Sequence, residues 1–202
     1  MPKKLIPKST SAQTTPAPGD SATLNNPRYN AGREQVIYDY LRGRGVGAAQ
    51  AAGLMGNLAV ESWLNADLKQ VGGGPAYGLP QMEGGRQKAM RTYNEVPYAF
   101  GSKLTPEEQQ QLDYMIDKGF NSQTPGEWRY GHGFNKAADA RKALLNAQTA
   151  REASDIITRN YLRPGKPHLK RRRAMSDYYY DKYTPKIPFT GGFMWDGSNP
   201  KN

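Results

Sequence analysis

The sequence contains no cysteine and only two histidines, His132 and His168. The first absence excludes disulfide scaffolds, thiolate metal sites and cysteine nucleophiles together. Two histidines so far apart are too few for a histidine-rich zinc centre, and no Gly-x-Ser-x-Gly elbow accompanies them. Chemistry without a metal or cofactor is therefore expected. No run approaches the ~18 consecutive apolar residues that a membrane span needs. The N-terminal stretch Met1-Pro2-Lys3-Lys4-Leu5-Ile6-Pro7-Lys8 carries lysines but no apolar core, so no secretory signal peptide is expected. Strand-like alternation is scarce too; a short hairpin near 66–81 is the one candidate, and no internal repeat is visible.

Positive charge is in excess, with 28 Lys and Arg against 18 Asp and Glu among 202 residues. The excess is concentrated. Lys3, Lys4, Lys8 and Arg28 supply part of it, and Arg163, Lys166, Lys170, Arg171, Arg172 and Arg173 supply most of the rest with no acid between them. Such a cluster attracts polyanions in general, whether DNA, teichoic acid, lipid headgroups or an acidic protein. It is equally the composition of a solvated helix start over 169–174. No helix-turn-helix, zinc finger or RNP-like aromatic motif accompanies it, so sequence-specific nucleic-acid recognition is not expected.

Residues 1–30 read as an extended arm, with Pro2, Pro7, Pro16, Pro18 and Pro27 interrupting small and polar residues. From 31 to 183 the periodicity is helical. Val36, Ile37, Tyr40 and Leu41 form one stripe behind a candidate Asn30 cap; Ala51, Leu54, Met55 and Leu58 form a second. Thr105-Pro106-Glu107-Glu108 and Thr149-Ala150-Arg151-Glu152 are capping-box patterns. Gly119 reads as the stop of the first, and Pro164-Gly165 as the stop of the second. A last helix is expected over about 168–183. Residues 184–202 again read as extended, yet carry Phe189, Phe193, Met194 and Trp195, apolar groups that either fold back on the core or insert into a partner, the latter being the reading taken here. The expected architecture is mainly α, one helical domain with extended N- and C-terminal arms.

One residue stands out chemically. Glu61 follows Leu54 and Leu58 at helical spacing, which puts its carboxylate on the apolar face. It also falls near the helix C-terminus, where the macrodipole is negative. Both effects disfavour the ionised form and raise the pKa, as a general acid requires. Gly53 and Gly56 each cost ~1 kcal/mol in a helix relative to alanine, which suggests close approach by another backbone. The structural alternative is a boundary glutamate paired with Arg86 or Arg91.

The sequence downstream of Glu61 narrows the choice. Gly56-Asn57-Leu58, Glu61-Ser62, Gly78-Leu79-Pro80-Gln81 and Arg86 resemble the pattern of the phage tail lysozyme family, within the lysozyme-like superfamily that also includes lytic transglycosylases. Gln111-Leu112, Tyr161-Leu162-Arg163-Pro164-Gly165, Arg173-Ala174 and Tyr178 resemble its later helices, so that the likeness spans about 32–183. Met82 departs from it, standing where the family has tryptophan, and Pro80 stiffens the turn.

The resemblance implies a lysozyme-like helical fold and cleavage of the MurNAc–GlcNAc strand of peptidoglycan, with Glu61 as the catalytic acid. Ser62, Tyr77, Gly78, Gln81 and Tyr161 are the candidate substrate-binding residues; the structural alternatives are a helix-end cap for Ser62, packing against the turn for Tyr77, a backbone contact for Gln81 and a core position for Tyr161. Asp67 and Glu83 are the candidate second carboxylates; without one, Glu61 serves as acid and then as base, with water or the MurNAc 6-hydroxyl as nucleophile. Residues 1–30 and 184–202 would dock the chain into a virion near tail or portal proteins, for use on the host wall during genome entry. Three rivals remain at this point: a lysis endolysin, which would need neither arm, a structural virion subunit that keeps the fold without the chemistry, and a DNA-contacting ejection protein using the 163–173 cluster.

Overall fold

The computed structural model describes residues 17–97, 102–122, 124 and 126–184. The outer parts of both expected arms, including Phe189, Phe193, Met194 and Trp195, lie outside the described residues. Among those described, the architecture is helical. In chain order come α1 (Ser21–Leu24), a 3-10 turn (Ala31–Arg33), α2 (Glu34–Gly43), α3 (Ala48–Ser62), α4 (Gly84–Arg91) and α5 (Pro106–Tyr114). A π-helical turn (Met115–Phe120) continues α5. Then follow α6 (Ala137–Asn146), α7 (Ala150–Ile156) with its own π-helical continuation (Ile157–Leu162), and α8 (Leu169–Tyr183). β structure among the described residues is limited to isolated antiparallel bridges, Lys69 to Tyr77, Tyr77 to Met82 and Gly131 to Phe134. The hairpin expected near 66–81 is reduced to the first two of these. No described helix is long and apolar enough to cross a membrane.

The molecule is organised around α3, which is more deeply enclosed than a one-sided stripe implies. Ala51, Ala52, Leu54, Met55, Leu58 and Ala59 are all fully buried. Burying each of the larger three is worth about 1.5–3 kcal/mol. Its two glycines explain how neighbours come so close. A Cβ on Gly53 would lie 2.7 Å from Ala153 Cβ and 2.8 Å from Ser154 N, on α7. One on Gly56 would lie 2.0 Å from Ser176 Oγ and 2.7 Å from the Arg172 carbonyl, on α8. The helix cost of the glycines is thus exchanged for contact with two helix backbones.

Local signals behave as their chemistry requires, with exceptions. The Thr105 hydroxyl accepts from Glu108 N while the Glu108 carboxylate accepts from Thr105 N, a complete capping box. At Thr149 only half of the box forms: the hydroxyl accepts from Glu152 N, but the Glu152 carboxylate accepts from Gln148 N. Asn30 precedes the 3-10 turn without a side-chain cap. Gly119 does not stop a helix; it lies inside the π-helical turn, where a Cβ would come 2.8 Å from the Tyr161 ring. Its carbonyl accepts from Trp128 Nε1 at 2.8 Å.

The described part of the expected N-terminal arm, 17–30, is packed rather than extended. Thr23 is fully buried, Ala17 N donates to the Asp181 carboxylate, and Asp20 pairs with Arg171 of α8 at 3.0 Å. Buried Glu34 then ties α2 to α8, accepting from Lys182 Nζ and Tyr183 Oη, each at 2.6 Å.

Candidate active site

Glu61 occupies the last turn of α3, next to the C-terminal Ser62. Its side chain is 14% exposed and its Oε1 accepts from Arg172 Nη2 at 2.9 Å. Arg172 is itself buried and spends its other donors inside the protein, on the Pro167 carbonyl through Nε and on Asn57 Oδ1 through Nη1. Asn57 Oδ1 also accepts from Thr158 Oγ1, and Asn57 Nδ2 donates to Gly53 O, Ser154 O and Ser154 Oγ. A satisfied buried network thus holds the guanidinium, and the guanidinium holds one carboxylate oxygen. No hydrogen bond among the described residues engages Oε2. Burial raises the Glu61 pKa above its ordinary value; the charge and hydrogen bond of Arg172 pull it back in part, and burial wins.

The chain leaves α3 through two consecutive left-handed residues, Trp63 and Leu64. Such backbone costs ~1–2 kcal/mol per non-glycine residue. Asn65 holds it in place, its Nδ2 donating to Ser62 O, Trp63 O and Arg28 O. Glu61 and Trp63 then stand in a groove of about 680 Å³. One wall is the turn-rich segment 70–83, the other is the stretch Leu162–Gly165, with Arg86 and Arg129 between. Gln81 and Arg163 on those walls are left-handed as well. Strained non-glycine backbone gathered around one cavity is characteristic of sites that need fixed geometry.

The residues singled out in the sequence separate into those that face this groove and those that support it. Gln81 lines it, although its Nε2 is committed to Leu68 O and Gly78 O at 2.9 Å each. Glu83 lines it and is exposed. Asp67 is exposed but is not among its lining residues. Ser62 is fully buried and donates to Leu58 O, which makes it part of the helix end. Tyr77 is outside the lining: its hydroxyl donates to the Glu107 carboxylate and the Arg91 guanidinium covers its ring at 4.7 Å. Gly78 is a backbone requirement, left-handed at φ 81° and so close to Gln111 that a Cβ would lie 2.5 Å from Oε1. Gln111 in turn pins the segment, accepting from Leu79 N and donating to Ala66 O.

Tyr161 does not reach the groove. It is fully buried against Phe120 and Trp128, with the Arg86 guanidinium over its ring, because its helix turns that face into the core. Arg86 pairs with buried Glu127 rather than Glu61, at 2.8 Å.

The basic cluster at 163–173 is not a free cationic face. Arg171 pairs with Asp20, Arg172 with Glu61 and Arg173 with Asp155. Half of its charge is therefore neutralised within the molecule; of the rest, Lys166 and Lys170 are exposed. Arg172 is the site residue that sequence reading misplaced, and Trp63 and Arg129 are groove residues it passed over.

A family model described as phage tail lysozyme matches residues 32–183. No curated protein matches the sequence.

Proposed function

The chain belongs to the phage tail lysozyme family, and from that premise we propose that it is a virion-associated glycosidase that cleaves the MurNAc–GlcNAc strand of peptidoglycan, with Glu61 as the general acid. The observation that carries this reading is a carboxyl group with a raised pKa, one oxygen clamped by Arg172 and the other unengaged, at the wall of an open groove. A subunit that kept only the fold would have no need of that cavity or of the strained backbone around it.

The chemistry follows from those groups. Protonated Glu61 delivers its proton to the glycosidic oxygen as the C1–O bond breaks, which leaves an oxocarbenium-like centre at C1. The resulting carboxylate, facing Arg172, then accepts the proton of the attacking oxygen. That oxygen belongs to water in hydrolysis, or to the C6 hydroxyl of the same MurNAc in transglycosylation. Glu83 is the groove carboxylate available to assist water. Arg172 acts as a positioning residue: it fixes the carboxyl plane and stabilises the anion formed after proton transfer. Carried on a phage particle, such an activity would open the wall locally for genome entry.

The test is release of muropeptides from purified peptidoglycan, read by mass spectrometry, for the natural protein and Glu61→Gln. The expected result is a loss of at least ~100-fold in the variant, the usual scale for a general acid. Reducing ends identify water as nucleophile, and 1,6-anhydro ends, one water lighter, identify the C6 hydroxyl. Equal release by both proteins would refute the assignment of Glu61.

A further inference from the structure

The groove that holds Glu61 does not end at its own wall. Arg129, Arg163 and Pro164 line both it and a second depression of about 490 Å³, whose other walls include Tyr130, His132, Arg159, Pro167 and Leu169. Seven arginines among the described residues are ion-paired with carboxylates. Arg129, Arg159 and Arg163, gathered at this junction, are not.

Arg163 is the most constrained of them. It is half-buried, left-handed at φ 60°, and its guanidinium makes only a 3.4 Å contact with the Gly126 carbonyl. Burial, with Arg86 and Arg129 nearby, pushes its pKa down to about 10. The backbone beside Arg129 is fixed from the opposite direction: Arg129 N donates to Asn160 O, and Asn160 Nδ2 donates to Arg129 O and Gly131 O. Crowded guanidinium groups with no ion-pair partner among the described residues, and only the charge of Glu127 opposing them at Arg163, are relieved by an anion.

We propose that Arg129 and Arg163 form a subsite for the carboxylates of peptidoglycan stem peptides, which branch from the glycan groove into the second depression. The branching carries the choice of ligand. A linear glycan needs one groove, whereas a glycan bearing a peptide at each MurNAc needs a side exit with cations at its mouth. The apolar surface of Pro164, Pro167, Leu169 and Tyr130, 73% exposed, suits the small aliphatic residues of such a peptide. This inference rests on the glycan lying in the Glu61 groove. It makes the enzyme selective for peptide-bearing wall over bare glycans.

The experiment is equilibrium binding, with Glu61→Gln protein to prevent turnover and soluble glycan–peptide fragments as probe. One fragment pool is left intact and another has its carboxylates amidated. The expected result is about tenfold tighter binding of the intact pool, the scale of a charge-assisted pair, with the preference near one when Arg129→Gln and Arg163→Gln are added. Arg129→Gln alone, at an exposed side chain, is expected to remove at least half of the preference and serves where the combined variant does not fold. A preference near one in the parent, or one that survives the arginine changes, would overturn the proposal. So would tighter binding of a phosphodiester polymer or duplex DNA than of intact fragments at equal ionic strength. If the natural protein cleaves no wall yet keeps the carboxylate preference, the reaction assigned to Glu61 fails and this subsite stands. If it cleaves intact and amidated wall with equal affinity, the subsite alone fails.

Discussion

Replacing Gly56 by alanine tests the close approach of α3 and α8 on which the site depends. The new methyl would sit 2.0 Å from Ser176 Oγ, 2.6 Å from Ser176 N and 2.7 Å from the Arg172 carbonyl. The hydroxyl could rotate away, but the last two atoms belong to the α8 backbone, so the helix itself must move. Overpacking of this kind costs ~1–3 kcal/mol, and the severity of the contacts places it near the top of that range. Alanine returns ~1 kcal/mol in helix propensity. The net loss of about 2 kcal/mol corresponds to a fall in Tm of roughly 4–8 °C for a domain of this size. Gly43→Ala, in an exposed helical position with nothing within 4 Å of the added Cβ, is the matched control. It should raise Tm by about 1–4 °C, from a propensity gain of about 0.5–1 kcal/mol. Paired thermal melts of the two variants decide the matter. A G56A protein as stable as the natural one would refute the packing argument. The same displacement carries Arg172 away from Glu61, so activity measured well below Tm should fall in G56A and not in G43A.

Further outcomes follow from the same geometry. In Arg172→Gln, loss of the cation should drive the Glu61 pKa further up, so that the alkaline limb of the pH–activity profile moves to higher pH while kcat falls; R172K should restore the limb, and an unmoved limb in R172Q would separate Arg172 from the acid. Because the proposed acid must be protonated, activity of the natural protein should decline as pH rises through the raised Glu61 value. Tyr161→Phe removes a buried hydroxyl that has no hydrogen-bond partner among the described residues, so Tm should hold or rise by the equivalent of about 1 kcal/mol, with wall cleavage retained; lost cleavage at full stability would return Tyr161 to the substrate. Burial raises the Asp20 pKa, but the Thr23 and Arg171 hydrogen bonds outweigh it and leave the value below 3.8. A depressed carboxylate stabilises above its unfolded value and loses that contribution as pH falls through it. The Tm difference between the natural protein and Asp20→Asn should therefore be present at pH 6 and close as pH drops below 3.8; a constant difference would refute the ion pair.

The parts of the site that were legible in the sequence are those written locally. Helical spacing from Leu54 and Leu58 places Glu61 at the end of α3, and Gly53 and Gly56 announce close backbones. Arg172 was illegible for a geometric reason. Consecutive helical residues point about 100° apart, so of the run Arg171, Arg172 and Arg173 only one can face α3, and composition cannot say which. Read as a sum, the run is a charged surface; folded, it is three separate ion pairs, one of them buried. Tyr161 takes the core position that stood beside its substrate role, since a tyrosine in a helix beside a groove can face either side. The π-helical turns left no signal, because the widened register at 157–162 depends on what packs against it. The candidate substrate residues Tyr77 and Gly78 belong instead to the framework of the turn, held by Glu107, Arg91 and Gln111.

The ion pair between Glu61 and Arg172 joins residues 111 positions apart. The carboxylate proposed as proton donor therefore has its partner only when α8 is docked on α3, and the helix bearing it cannot supply that partner alone. Under the proposed function, catalytic competence would double as a report of completed folding. A molecule with α8 undocked or clipped away would still carry Glu61 and the turn after it but would lack Arg172 at the carboxylate, so that, on the proposed function, unfinished copies would spare the wall of the cell that makes them.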